Sequence, residues 1–132
     1  GRVGAVQTVN GEALLQLLDL GLVPVISPVS LGEEGLVYNV NADHVATGVA
    51  KAVEAVRLVF VSNVAGVQVT GRTMRALTLQ QIEGLIADGH ITGGMIPKVR
   101  SATEAVLSGV YQAVITDLMG LSNDSGTAII KG

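Results

Sequence analysis

Arg57-Leu58-Val59-Phe60-Val61, running into Ser62-Asn63-Val64-Ala65-Gly66, is the stretch from which the fold can be read. Four consecutive apolar residues, rich in β-branched and aromatic types, predict a strand covered on both faces. The small and polar residues after it predict a loop at the carboxyl end of that strand, where open α/β sheets bind ligands. Upstream, Val45, Val49, Ala52, Val53 and Val56 recur at helical spacing, so residues 42–56 read as a helix. Downstream, Thr78 followed by Gln81 is a capping box for a helix over residues 79–88, closed by Gly89. Residues 96–107 read as a helix with Pro97 tolerated in its first turn, and residues 111–116 and 127–130 as strands. Toward the amino terminus Asn10 caps a helix over residues 12–20 and Gly21 stops it. Residues 23–29, with Pro24 and Pro28 near the ends, are predicted as a buried strand, followed by a Gly-Glu-Glu-Gly turn and a return through residues 36–39. This alternation predicts one α/β domain over residues 1–132, a mainly parallel sheet with helices on both faces and right-handed crossovers.

The composition agrees. With 48% hydrophobic residues, a mean hydropathy of +0.54 and only 2% aromatics in 132 residues, the core must be aliphatic. No apolar run approaches the roughly 20 residues that span a bilayer, so no membrane partner is expected. The absence of cysteine excludes disulfides and thiolate metal sites. A net charge of −3 with scattered Lys and Arg provides no footprint for nucleic acid. Residues 1–4 resemble neither a signal peptide nor a targeting helix, and a cytoplasmic location is expected.

Two outlying motifs carry the chemistry. In Tyr38-Asn39-Val40-Asn41-Ala42-Asp43 two amides and a carboxylate lie close together at a predicted helix start, where strand-like alternation would let them share a face. In Gly93-Gly94-Met95-Ile96-Pro97-Lys98 a flexible glycine pair precedes a lysine. A lysine beside glycine-exposed N–H groups, with an acid to organise it, suits a phosphorylated ligand. The plainer alternatives are a helix cap at Asp43, turn residues at Asn39 and Asn41, and a solvated Lys98. His44 and His90 stand apart without companions at ligand spacing, so no metal site is expected, and no serine occupies a Gly-x-Ser-x-Gly elbow. Asp117, Asn123 and Asp124 read as turn residues.

Taken in order, Asn39-Val40-Asn41-Ala42-Asp43, Ser62-Asn63-Val64-Ala65-Gly66-Val67, Ile91-Thr92-Gly93-Gly94-Met95-Ile96-Pro97-Lys98-Val99 and the closing Gly126-Thr127-Ala128-Ile129-Ile130 resemble the amino acid kinase family. Within it they are most similar to the carboxyl-terminal half of the acetylglutamate kinases. The resemblance implies a three-layer αβα sandwich, carbamate kinase-like, with a mainly parallel sheet and its amino-terminal part outside these residues. It implies transfer of the ATP γ-phosphoryl group to the side-chain carboxylate of N-acetyl-L-glutamate in arginine biosynthesis, with this chain as the ATP-binding half. By similarity Asn39 and Asn41 would contact the acetylamino acid, Asp43 would position catalytic lysines, and Lys98 would neutralise charge on the transferred phosphoryl group. Ser62, Asn63, Val64, Ala65, Gly66, Val67 and Gln68, with His90, Ile91, Thr92, Gly94 and Met95, would line the nucleotide site. Mg²⁺ would be carried by the nucleotide, and the full-length protein would be a cytoplasmic homo-oligomer. An ionised acceptor carboxylate needs no general base, so positioning and charge stabilisation suffice.

Family members usually carry an acid where Asn63 stands, which keeps open a cousin acting on acetylaminoadipate. A non-catalytic regulatory or interaction module with the same sheet is the other alternative. The family's first lysine, its glycine-rich phosphate loops and the arginine that grips the substrate have no counterpart in these residues, so the chain by itself is expected to be incompetent as a kinase.

Overall fold

The structure is a computed structural model and describes residues 2–132. In chain order its elements are α1 (Gly11–Asp19), β1 (Val29–Leu31), β2 (Val37–Asn39), α2 (Ala42–Ala52), β3 (Arg57–Val61), β4 (Gln68–Val69), β5 (Arg72–Thr73) and β6 (Ala76–Thr78). They continue with α3 (Leu79–Ala87), α4 (Met95–Leu107), β7 (Gln112–Thr116), α5 (Leu118–Asn123) and β8 (Thr127–Ile130). The central sheet has four strands in the order β3-β7-β8-β6. β3 runs parallel to β7 and β6 parallel to β8, while β7 and β8 are antiparallel. The sheet is therefore mainly parallel, with the reversal introduced because only α5 and a short turn separate β7 from β8.

Alternation along the strands sorts the two faces. Phe60, Ala113, Ile115, Ile129 and Leu77 form one face and pack against Ala50, Ile82, Val99, Ala102, Ala105 and Val106 of α2, α3 and α4. Each Val, Leu, Ile or Phe side chain fully buried in this layer contributes about 1.5–3 kcal/mol. The opposite face carries α5. A Cβ on Gly120 would fall on the Thr116 hydroxyl, which explains glycine there. Arg57, also on that face, forms a 2.7 Å ion pair with Asp124 just past the helix. Asp117 and Asp124 are thus more than turn residues: Asp117 Oδ1 accepts from Gly120 N–H at 2.6 Å as the N-cap of α5, and Asp124 is its left-handed C-cap.

The local signals that depend on neighbouring residues hold. Asn10 caps α1 through Ala13 N–H, and Thr78 and Gln81 form the reciprocal capping box of α3. Three expectations need correction. Asn41, not Asp43, caps α2, its Oδ1 accepting from Asp43 N–H and His44 N–H at 2.9 and 3.3 Å. An amide at that position reaches the free N–H groups, while Asp43 is already one residue inside the helix. Residues 23–29 are not a buried strand: Val23 and Val25 are 84% and 95% exposed, and only Val29 joins a ladder, opposite Asn39 in the two-stranded β1–β2 hairpin. A strand exists only with a hydrogen-bonding neighbour, and none of the described residues pairs with residues 23–27 in a ladder. α2 also ends at Ala52, four residues before the expected end, where Val53 caps and Glu54 turns to positive φ.

Candidate functional site

The crossovers bring the motifs together. α2 leads into β3 and α4 into β7, and β3 and β7 are parallel, so both helices begin at the carboxyl edge of those strands. β8 begins there too, because Thr127 pairs with Ile115 in an antiparallel register. The start of α2, the loop after β3, the start of α4 and the loop before β8 therefore collect along one edge of the sheet, the edge that open α/β folds use for ligands.

Asn39 ends β2, exposed, with its backbone held by Arg2 and Gly4 at 2.8 and 3.0 Å. Its side chain makes no hydrogen bond to the described residues. Asn41 has its oxygen engaged in the cap, leaving its amide N–H₂ for a ligand. Asn39, Asn41 and Asp43 do not share a strand face, since a strand end, a cap and a helical first turn present them in succession. Asp43 and Lys98 are both half-buried on the first turns of the adjacent helices α2 and α4. They form no ion pair with each other; the ion pairs among the described residues are Arg57–Asp124 and Arg100–Glu83.

The start of α4 is open to an anion. Gly94 is the N-cap and offers no side chain, and Gly93 takes φ +55. Met95 and Ile96 N–H turn inward to Thr92 and Gly93 carbonyls, both at 3.2 Å, and Pro97 has none to offer. The N–H groups of Gly93 and Gly94 make no hydrogen bond to the described residues. Thr92 and His90 are exposed, Met95 is half-buried, and Ile91 is only 2% exposed, so its side chain belongs to the core.

After β3 the ladder continues one residue through Ser62 N–H to Thr116 O at 2.7 Å, and the chain then leaves the sheet with Asn63 and Ala65 exposed and Ser62 and Val64 half-buried. Gly66 and Val67 are buried. The Thr127 hydroxyl, 0% exposed, accepts from Val67 N–H at 2.8 Å and donates to Met74 O at 2.6 Å, while Met74 N–H returns to Val67 O at 2.9 Å. Val67, with its side chain in the core and both backbone groups engaged, holds the loop in place and leaves the exposed Asn63, Ala65 and Gln68 to face solvent. From sequence Thr127 reads only as part of the closing strand, and no local signal marks its hold on the loop, because its partners are 60 and 53 positions away. Replacing Thr127 by valine leaves Val67 N–H and Met74 O without their partner; a loss of about 1–3 kcal/mol is expected, measured as a lowered denaturation midpoint.

A separate cleft of about 840 Å³ lies between residues 4–10, α1 and the β1–β2 hairpin. Val6, Leu14, Ile26, Tyr38 and Val49 line it and its charged residues are Glu33 and Glu34, so it does not suit a phosphate. Among the described residues no group of three or more His, Asp or Glu could hold a metal ion, and no helix is long and apolar enough to cross a membrane.

The amino acid kinase family matches residues 1–117. The acetylglutamate kinase of Roseiflexus sp. (strain RS-1) is 56% identical over 130 residues, covering 98% of this chain and 49% of that protein. A Streptococcus mutans UA159 protein of known crystal structure superposes over the whole chain and 52% of its own, with a TM-score of 0.86 at 34% identity. A carbamate kinase from Giardia lamblia, solved bound to AMP-PNP, matches in fold with a TM-score of 0.75 at 23% identity, over 96% of this chain and 51% of that one. The chain spans about half the length of the curated relatives it matches. A mainly parallel sheet with its helix starts and glycine loops gathered on one edge, and a match over residues 1–117, place this chain in the amino acid kinase family.

Proposed function

We propose that the chain is the nucleotide-binding, carboxyl-terminal half of an enzyme that phosphorylates the side-chain carboxylate of N-acetyl-L-glutamate with ATP. The observation that carries this is the 56% identity to an acetylglutamate kinase across almost the whole chain, including the edge where the motifs gather. The residues present suit a polyphosphate: two unpaired glycine N–H groups, a half-buried lysine and a loop of small residues. ATP supplies the phosphoryl group. Lys98 places a compact positive charge where negative charge accumulates during transfer, and the glycine N–H groups add fixed dipoles. Asp43 is a positioning residue that orients lysine, and the free amides of Asn39 and Asn41 hold the acetylamino acid. Mg²⁺, if it takes part, would be carried to the site by the nucleotide phosphates, as one or two carboxylates plus substrate phosphates are its usual ligands. As the acceptor oxygen bonds to the γ-phosphorus, the bond to the β-phosphate oxygen breaks and ADP leaves.

A purified sample of the 132-residue chain alone is expected to show no phosphorylation of acetylglutamate above background in an ADP-release assay, whereas the full-length protein turns over. Activity of the isolated chain would overturn the half-site reading. The amide at Asn63 favours one second reading, acetylaminoadipate as acceptor, and comparing kcat/KM for the two acceptors in the full-length protein decides between them.

A further inference from the structure

Asn39 is exposed at the end of β2, and the residue before it decides where it points. Successive side chains of a strand face opposite ways, so a Tyr38 held on one face sends Asn39 to the other. Tyr38 is half-buried and Val40 buried, while Val37 and Asn39 are exposed. The Tyr38 ring lies between two glycines from separate segments. A Cβ on Gly32, just past β1, would fall 2.5 Å from Tyr38 Cε2 and 3.0 Å from Cδ2. One on Gly4 would fall 3.1 Å from Tyr38 Cβ and 3.3 Å from both Cδ1 and Cγ. Neither glycine has a positive φ, in contrast to Gly35 at φ +72 in the same turn as Gly32. The ring, not the backbone, therefore explains why these two positions carry no side chain.

The same two segments hold the backbone around Asn39. Asn39 N–H donates to Arg2 O at 2.8 Å, and Gly4 N–H donates to Asn39 O at 3.0 Å. On the hairpin side Gly32 N–H donates to Leu36 O at 2.8 Å, and Val40 N–H to Pro28 O at 2.9 Å. Val3 meets Asn39 in an isolated bridge, so two hydrogen bonds and the ring against Gly4 tie this segment to the end of β2. We propose that Tyr38 is a positioning residue for the acceptor side of the reaction: clamped between Gly4 and Gly32, its ring fixes the direction of Asn39 and with it the seat of the acetylamino acid. The ring acts through Asn39, and the proposal rests on the acceptor contact assigned to Asn39 under the proposed function.

The test uses the full-length protein and reads each substrate separately. Tyr38→Ala and Gly32→Ala are each expected to raise the KM for acetylglutamate about 10- to 100-fold and to change the KM for ATP less than about 2-fold, because the misplacement touches one substrate only. Tyr38→Phe is expected to restore the parental values, since the contacts to both glycines are made by Cβ and ring carbons. Gly32→Ala combined with Tyr38→Ala is expected to cost no more than Tyr38→Ala alone, the added methyl group having no ring to displace. Hydrogen exchange at Asn39 N–H is expected to quicken at least about 10-fold in both alanine variants and to stay parental in Tyr38→Phe. Should Tyr38→Ala not fold, Gly32→Ala and Tyr38→Phe carry the comparison. Unchanged exchange at Asn39 overturns the clamp, and so does an equal rise in both KM values, which marks a general loss of structure. Faster exchange with an unchanged KM for acetylglutamate overturns the link from Tyr38 to the acceptor. A parent protein that turns over no acetylglutamate overturns the proposed function instead, and exchange at Asn39 still decides the clamp.

Discussion

Lys98→Ala in the full-length protein is expected to lower kcat about 100- to 1000-fold with a much smaller change in the KM for ATP, because a charge contact made in the transition state is worth about 3–4 kcal/mol. Lys98 is half-buried on the first turn of α4, beside a glycine pair that offers backbone N–H groups and no competing side chain. On the proposed function, a cation held there would meet the phosphoryl group as charge develops on it, at no cost in reorganisation. Steady-state kinetics on variants with matched melting temperatures make the measurement. Lys98→Arg separates charge from shape: a planar, delocalised fork keeps the charge but does not place it as the compact ammonium does, so recovery should be partial. If Lys98→Ala leaves turnover intact, Lys98 is a solvated lysine and the charge on the transferred phosphoryl group is met by other residues.

Gly66→Ala is expected to cost about 3 kcal/mol of stability, combining an unfavourable backbone conformation with overpacking. Gly66 has φ +151, and a Cβ there would lie 2.5 Å from Thr127 Oγ1, 2.9 Å from Thr73 Cγ2 and 3.1 Å from Thr127 N. None of these atoms is the loose end of a long side chain. The Thr127 hydroxyl is already tied to Val67 and Met74, so moving it breaks both bonds. Thermal unfolding should show a drop on the order of 10 °C. The loop after β3 that Thr127 anchors should loosen with it, and on the proposed function this raises the KM for ATP in the full-length protein. A variant as stable as the parent would mean that the loop can be rebuilt around the added methyl group.

What could be read in the sequence was whatever depends on near neighbours. β3, β7, β8, α3 and α4 lie within a residue or two of their expected bounds, since an apolar run, a capping box and a proline in the first turn each act over a few positions. The asparagine and glycine-lysine motifs could be picked out for the same reason, as polar or flexible outliers between apolar segments. Residues 23–29 show the limit. Their composition is that of a buried strand, but burial and pairing are properties of a neighbour, and among the described residues only Val29 joins a ladder. The cap of α2 was assigned two positions late, because Asn41 and Asp43 are equally good capping types and only the backbone at Asn41 decides which one faces the free N–H groups.

From its sequence alone this chain is an aliphatic α/β protein with an asparagine-acid motif and a glycine-lysine motif, because spacing and residue type suffice for both. Only the tertiary structure decides that these motifs share an edge, through the parallel register of β3 with β7 and the antiparallel return of β8. It alone assigns Thr127 and Val67 to hold the loop, since hydrogen bonds across 60 and 53 positions leave no trace in local sequence. The same long-range pairing that assembles the site ends at β3, and the sheet remains open there.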